Sequence, residues 1–314
     1  MDFSSPLSEL DVLHDCVICP RNCHADRFSQ KLGYCKSGAD FTISSICIHR
    51  GEEPVIIGSR GICNIFFTHC NLQCSFCQNH QISDNNIQNT FYTLSLEAAT
   101  GQITRILDQG INMVGFVSPS HMIPQMKAII RAVESLGYKP TWVYNTNGFD
   151  KVESIRDLEG VIDVYLPDLK YMDADLSKRL SDAPDYPEVA GAALKEMLRQ
   201  KGTTLRLNEE GYAESGILIR HLVLPGYIQN SLEVLRFIAE ELSPLLHIGL
   251  MSQYYPSHKA SADRNLSRSL AKHEYQAVVN VLEELGMSRG FIQELDSFNH
   301  YRPDFNKNHP FEKD

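Results

Sequence analysis

Gly61-Ile62-Cys63-Asn64-Ile65-Phe66-Phe67-Thr68-His69-Cys70-Asn71-Leu72-Gln73-Cys74-Ser75-Phe76-Cys77 is the stretch of this 314-residue chain that decides its fold. Residues 61–69 read as a short apolar strand, and the chain runs from it straight into three cysteines. The spacing C-x3-C-x2-C gathers Cys70, Cys74 and Cys77 in one tight loop at the strand's C-terminal end. Three thiolates make an incomplete set for a cubane of four irons, so one iron would stay open to another ligand, as a catalytic metal centre requires. A structural or zinc site built on three cysteines is the alternative reading.

Working outward, the chain downstream of this loop alternates. Ser95 reads as an N-cap, with Ile103, Ile106 and Leu107 at helical spacing and Gly110 closing the segment. A strand is expected at 113–117, a helix at 124–136 stopped by Gly137, and a strand at 141–144. Helices near 151–157, 173–200, 231–242 and 272–285 then alternate with strands at 161–166, 217–224, 246–250 and 290–295. Regular alternation over this length predicts an α/β fold with a parallel sheet: a partial (β/α) barrel of about six units, with chemistry at the strands' C-terminal ends. The polar stretch 202–216 is expected to be a loop, a candidate lid. Residues 299–314 lack a period and are expected to wrap the surface or fray. The domain division is then 1–60, a Cys-rich metal-binding module; 61–298, the barrel; and 299–314, a tail.

Composition narrows the function. Lys plus Arg is 29 against 39 Asp plus Glu, a net charge of −10, with no basic run, so nonspecific nucleic-acid binding is disfavoured. The 43% apolar, 22% charged composition is that of a soluble globular protein, and no apolar run approaches a membrane span. The opening residues show neither a secretory nor a transit signal, which predicts a cytoplasmic location. Thiols stay reduced there, so nine cysteines, all before residue 78, argue metal binding rather than disulfides.

Cys16, Cys19, Cys23 and Cys35 form a second set near the N-terminus. Four thiolates close a site, and both structural zinc and an auxiliary iron–sulfur cluster suit them. Cys47 and Cys63 read as small core hydrophobes and are assigned no role.

The C-x3-C-x2-C spacing with Phe76 before the third cysteine resembles the signature of the radical S-adenosylmethionine (SAM) superfamily. Cys16-x2-Cys19-Pro20-Arg21-Asn22-Cys23, His49-Arg50-Gly51-Glu52-Glu53-Pro54 and Gln78-Asn79-His80 narrow the resemblance to the pyruvate formate-lyase activating-enzyme-related proteins, over nearly the whole chain. The resemblance implies a [4Fe-4S] cluster on Cys70, Cys74 and Cys77, SAM bound at the open iron, its reductive cleavage to a 5′-deoxyadenosyl radical, and hydrogen abstraction from a substrate. A glycyl-radical enzyme is one candidate substrate and a small molecule or peptide another; a flavodoxin or ferredoxin is the expected electron donor.

The resemblance also marks cofactor positions. Asn145-Thr146-Asn147-Gly148 is similar to the activating enzymes' Thr-Asn-Gly turn, with Asn145 where they carry an acid. Asp168-Leu169-Lys170 looks like their Asp-Leu-Lys motif, the acid facing the ribose side and the lysine the cofactor carboxylate. Where many have Gly-Gly-Glu for the cofactor's amino group, this chain has Ser118-Pro119-Ser120-His121, whose polar atoms are candidate cofactor ligands while His121 is equally a helix cap. Of Arg220 and His221 strand parity lets one point inward, and Met251-Ser252-Gln253-Tyr254-Tyr255-Pro256 is expected on the substrate side. The rival readings are an iron–sulfur protein without turnover and, testable by RNA copurification, RNA modification.

Overall fold

The computed structural model describes residues 4–29, 31–87, 93–295, 302–307 and 309–311. Seven strands run parallel and follow one another through the sheet in chain order: β2 (Ile62–Phe67), β4 (Met113–Val117), β5 (Thr141–Thr146), β6 (Val164–Pro167), β8 (Ala213–Leu222), β9 (His247–Met251) and β10 (Gly290–Ile292). β1 (Phe41–His49) extends the β2 edge antiparallel, and β3 (Thr93–Leu94) pairs with β1, so β2 and β10 do not meet and the barrel is open. This is the expected partial barrel, with β1 joining residues of the front segment to the sheet.

Strand parity sorts the core into layers. The faces of β2, β4, β5 and β8 carrying Cys63, Val114, Tyr144 and Ile217 pack with the covering helices Leu96–Leu107, Ile123–Ser135 and Tyr186–Lys201. The opposite faces place Ile62, Met113, Val143, Val164 and Leu218 together as an apolar floor inside the barrel. Each such side chain contributes about 1.5–3 kcal/mol by leaving water. Two residues further along the same faces the interior turns polar, with Asn64, Asn145 and Arg220. Gly115 stands opposite Asn64, and a Cβ there would collide with its Oδ1. The side-chain-free residue thus makes room for a polar group above the floor.

Ser95 caps its helix as expected, accepting a 3.0 Å bond from the Ala98 N–H. The stretch 202–216 departs from expectation. Arg206–Leu207 forms β7, an antiparallel partner of the start of β8, which itself begins at Ala213. That hairpin lies at the N-terminal end of β8, where Tyr212 packs against Gly58 and Arg60 reaches the Gly110 carbonyl at 2.9 Å, so it is no lid over the opposite, C-terminal mouth. The described part of the tail also differs from expectation. Phe305 packs edge-on and Phe311 tilted against Phe66, with ring centres 5.3 and 5.6 Å away, placing the tail on the mouth of the barrel. The rest of 299–314 lies outside the described residues.

Candidate functional site

The cysteine loop leaves β2 at the mouth of the barrel, and its sulfurs are ringed by donors. Asn147 Nδ2 lies 3.3 Å from Cys70 Sγ, and the Leu72 N–H lies 3.4 Å from it. Ser181 Oγ approaches Cys74 Sγ at 3.0 Å, and Ser83 Oγ stands 3.2 Å from Cys77 Sγ. As free thiols they resist ionisation: burial, with neighbouring thiols adding to it, pushes Cys70 up to about 12. Burial raises Cys74 to about 11 against the pull of Lys170. A cationic metal reverses that cost, since coordination deprotonates a thiol outright. Three buried sulfurs with polar hydrogens already aimed at them fit an iron–sulfur cluster, whose properties are set by such bonds.

Beside the loop opens a cleft into which Cys74, Phe76 and Cys77 project, along with Ser118, Asn145, Asp168, Lys170 and Arg220. Its centre is a charged lattice. Arg220 donates from Nε to Asp168 at 2.9 Å, from one terminal nitrogen to Glu52 at 2.8 Å and from the other to Asn145 Oδ1 at 2.6 Å. Lys170 Nζ meets the second Asp168 oxygen at 2.6 Å. Burial works to raise the Asp168 carboxyl, but Arg220 and then Lys170 outweigh it and hold the group below the ordinary range. Burial likewise opposes the Lys170 charge, and Asp168 overcomes it. The cleft therefore offers fixed charges of both signs within reach of one small zwitterion.

Strand parity accounts for this selection. Phe66, Val117, Asn145 and Leu222 share the interior faces of their strands with Arg220, which is the inward member of its pair. His221 points the other way, buried, with its ring nitrogens 2.7 Å from the Leu169 carbonyl oxygen and 2.9 Å from Ser231 Oγ.

Four expected cofactor positions are not in the cleft. Thr146 Oγ1 donates to Asp150 at 2.5 Å and lies 3.1 Å from Ser120 Oγ, so both hydroxyls are spent on a buried network with Tyr144. Asn147 supports the cluster loop, donating to Asn71 Oδ1 at 2.8 Å as well as approaching Cys70. His121 is fully buried, its Nε2 2.9 Å from the Thr68 carbonyl oxygen, and faces the front cysteines rather than the cleft. Burial drops it to about 3, which keeps it neutral.

Other cleft residues went without a role in the sequence reading: His49, the last residue of β1, Glu52 just beyond it, Gln78 and Asn79 beyond the third cysteine, and Phe311. The first four lie in the motif segments that carried the family resemblance, and that was their only signal. Phe311 sits where the sequence shows no period at all.

The front cysteines also converge. Cys16, Cys19, Cys23 and Cys35 line one small void. Cys19 is pushed up to about 12 by burial, with Cys35, Cys16 and Cys23 each adding to the rise. Cys47 and Cys63 are buried free thiols within apolar clusters. Among the described residues no helix is long and apolar enough to cross a membrane.

Uncharacterized protein MJ0674 of Methanocaldococcus jannaschii is 25% identical over 284 residues, covering 88% of this chain and 77% of that protein. The crystal structure of HydG, a maturase of the [FeFe]-hydrogenase, superposes with a TM-score of 0.51 at 13% identity, over 79% of this chain and 56% of that one. A domain of pyruvate-formate lyase-activating enzyme from Bacteroides vulgatus ATCC 8482 aligns with 55% of this chain and 93% of its own at 16% identity and a TM-score of 0.39. The family model of the Radical SAM superfamily matches residues 64–238, from β2 through the helix after β8. With more than half its length matched, the chain belongs to the radical SAM superfamily.

Proposed function

We propose that this protein is a SAM-cleaving radical enzyme whose cluster rests on Cys70, Cys74 and Cys77 and whose cofactor occupies the adjoining cleft. The observation that carries the reading is the opening of the three-cysteine loop and the Asp168–Lys170–Arg220 lattice into one cleft. A four-iron cluster, when bound, supplies the single electron that splits the sulfonium of SAM. The chain's own side chains do the rest. Lys170 pairs with the methionyl carboxylate, Asp168 accepts from the ribose hydroxyls, Asn145 and Ser118 add hydrogen bonds, and Phe76 offers an apolar wall. Phe66, Val117, Leu222 and Phe311 keep water from a reactive intermediate.

The family resemblance extends the reading to a protein backbone of the glycyl-radical kind as hydrogen donor and to a flavodoxin or ferredoxin as electron donor. A reducing, cytoplasmic setting belongs to it, because none of the nine cysteines is in a disulfide. Lys170→Met tests the cofactor assignment. It leaves Asp168 paired with Arg220, so the fold and the iron content should hold while SAM affinity falls about tenfold or more, roughly 1.4 kcal/mol. Unchanged SAM binding with intact iron content contradicts the assignment.

A further inference from the structure

We propose that a second cavity, beside the cofactor cleft, is a substrate subsite that takes an aliphatic ammonium group, with Glu53 as its counter-ion. The cavity measures about 110 Å³ and lies between the segment entering β2 and the strands β9 and β10, on the unclosed side of the barrel. It shares Gly51, Glu52, Arg220, Met251 and Gln253 with the cleft. A molecule held in it therefore stands next to the cofactor of the proposed function, and the occupant's role as substrate rests on that reading.

The sheet makes room for the Glu53 carboxyl. Strand register sets Gly249 between Arg220 of β8 and Phe291 of β10, on the interior face. A Cβ on Gly249 would stand 2.8 Å from Glu53 Oε1, so this interior position without a side chain is where the carboxyl reaches β9.

Three charged side chains line the cavity: Glu52, Glu53 and Arg220. Two are fully employed. Glu52 accepts from Asn64 and Asn145 on one oxygen, at 3.1 and 3.2 Å, and from Arg220 on the other, at 2.8 Å. Arg220 divides its donors among Asp168, Glu52 and Asn145. Glu53 is the exception, with Oε2 buried and without a partner. Its charge is unmatched as well. Glu52 and Asp168 balance Arg220 and Lys170, two against two, which leaves an ionised Glu53 uncompensated. Burial accordingly pushes its carboxyl up to about 7, with Arg220 opposing the rise and Glu52 adding to it. A cation in the cavity supplies both the missing partner and the missing charge.

Size and walls narrow the kind of cation. A cavity of about 150 Å³ takes a benzene, so this one holds roughly four or five non-hydrogen atoms. Pro54, Met251 and Phe291 add apolar surface for a methylene stem. An ammonium is a compact point charge that one unpaired oxygen can serve, whereas the planar fork of a guanidinium needs two.

The test uses the iron-loaded chain at about pH 8, where Glu53 is mostly ionised, and follows butylammonium chloride and 1-butanol by ligand-observed NMR titration. Butylammonium should bind about tenfold or more tighter than 1-butanol, and Glu53→Gln should abolish that preference. Equal binding of the two by the wild-type chain overturns the proposal, and that comparison stands even where the variant does not fold. If Glu53→Gln weakens SAM binding about tenfold but leaves the butylammonium preference intact, Glu53 holds the cofactor's own amino group and the proposal falls. Nα-acetyl-lysine methylamide separates two sources of the ammonium: binding tighter than butylammonium assigns a peptide lysine, and weaker binding a free amine. The amine titrations contain no SAM, so the proposal and the proposed function fail separately.

Discussion

Glu53 follows Glu52 near the start of the segment linking β1 to β2, and its Oε2 is buried without a partner. Burial raises it to about 7, with Glu52 adding to the rise and Arg220 opposing it. Between the ordinary value of 4.5 and about 7 the native chain holds a proton that the unfolded chain has released, so this group's contribution to stability falls as pH rises through that window. Glu53→Gln removes that dependence. Its stability relative to the wild type should increase from pH 5 to pH 8 in chemical denaturation, and a constant difference across that range contradicts the buried, protonated state. Asp168 has the opposite sign, its lowered value stabilising the native state above the ordinary carboxylate range and losing that only in acid. What the sequence revealed at this scale was uneven. Cys70, Cys74, Cys77, Asp168 and Arg220 were legible because their residue types and spacing each imply a chemistry. Ser120 and Thr146 were misplaced because one residue of strand or turn parity separates a cleft hydroxyl from one buried on Asp150, and a motif does not encode parity.

At the scale of elements, the helix Leu96–Leu107 shows how local signals became packing. Ser95 satisfies an N-terminal amide, while Leu96, Ala99, Ile103 and Leu107 turn one face to the core. Ser95→Ala should cost about 1 kcal/mol in denaturant unfolding and leave SAM cleavage unchanged, since the helix packs outside the barrel and far from the cleft's charges. A loss of cleavage without a loss of stability would mean that this helix end serves the site directly. Strands were legible from apolar runs, and burial of β2 along its whole length explains why no alternation was visible in it. The β7 hairpin escaped notice because its strand is two residues long and has no buried face, with Arg206 and Leu207 both exposed. Tail residues Phe305 and Phe311 were illegible for another reason: their packing on Phe66 is tertiary, made by rings distant in sequence that follow no local period.

Across the whole molecule the division of labour follows depth in the barrel. An apolar floor of Ile62, Met113, Val143, Val164 and Leu218 rigidifies the lower half. Above it, the same strand faces switch to Asn64, Asn145 and Arg220, and the cysteine loop and the tail close the mouth. Charge is thus confined to a zone with a solid base and an apolar rim, where preorganised groups act most strongly. The two cysteine loops meet along one edge of this zone through Arg21–Asn71 and Asn85. The central claim is that this assembly cleaves SAM. Its most direct test is anaerobic reconstitution with iron and sulfide, reduction with dithionite, addition of SAM, and chromatographic detection of 5′-deoxyadenosine and methionine, with Cys74→Ala alongside. Both products should form with the wild-type chain and neither with Cys74→Ala. A reduced, fully loaded cluster that neither binds SAM nor yields these products would contradict the account.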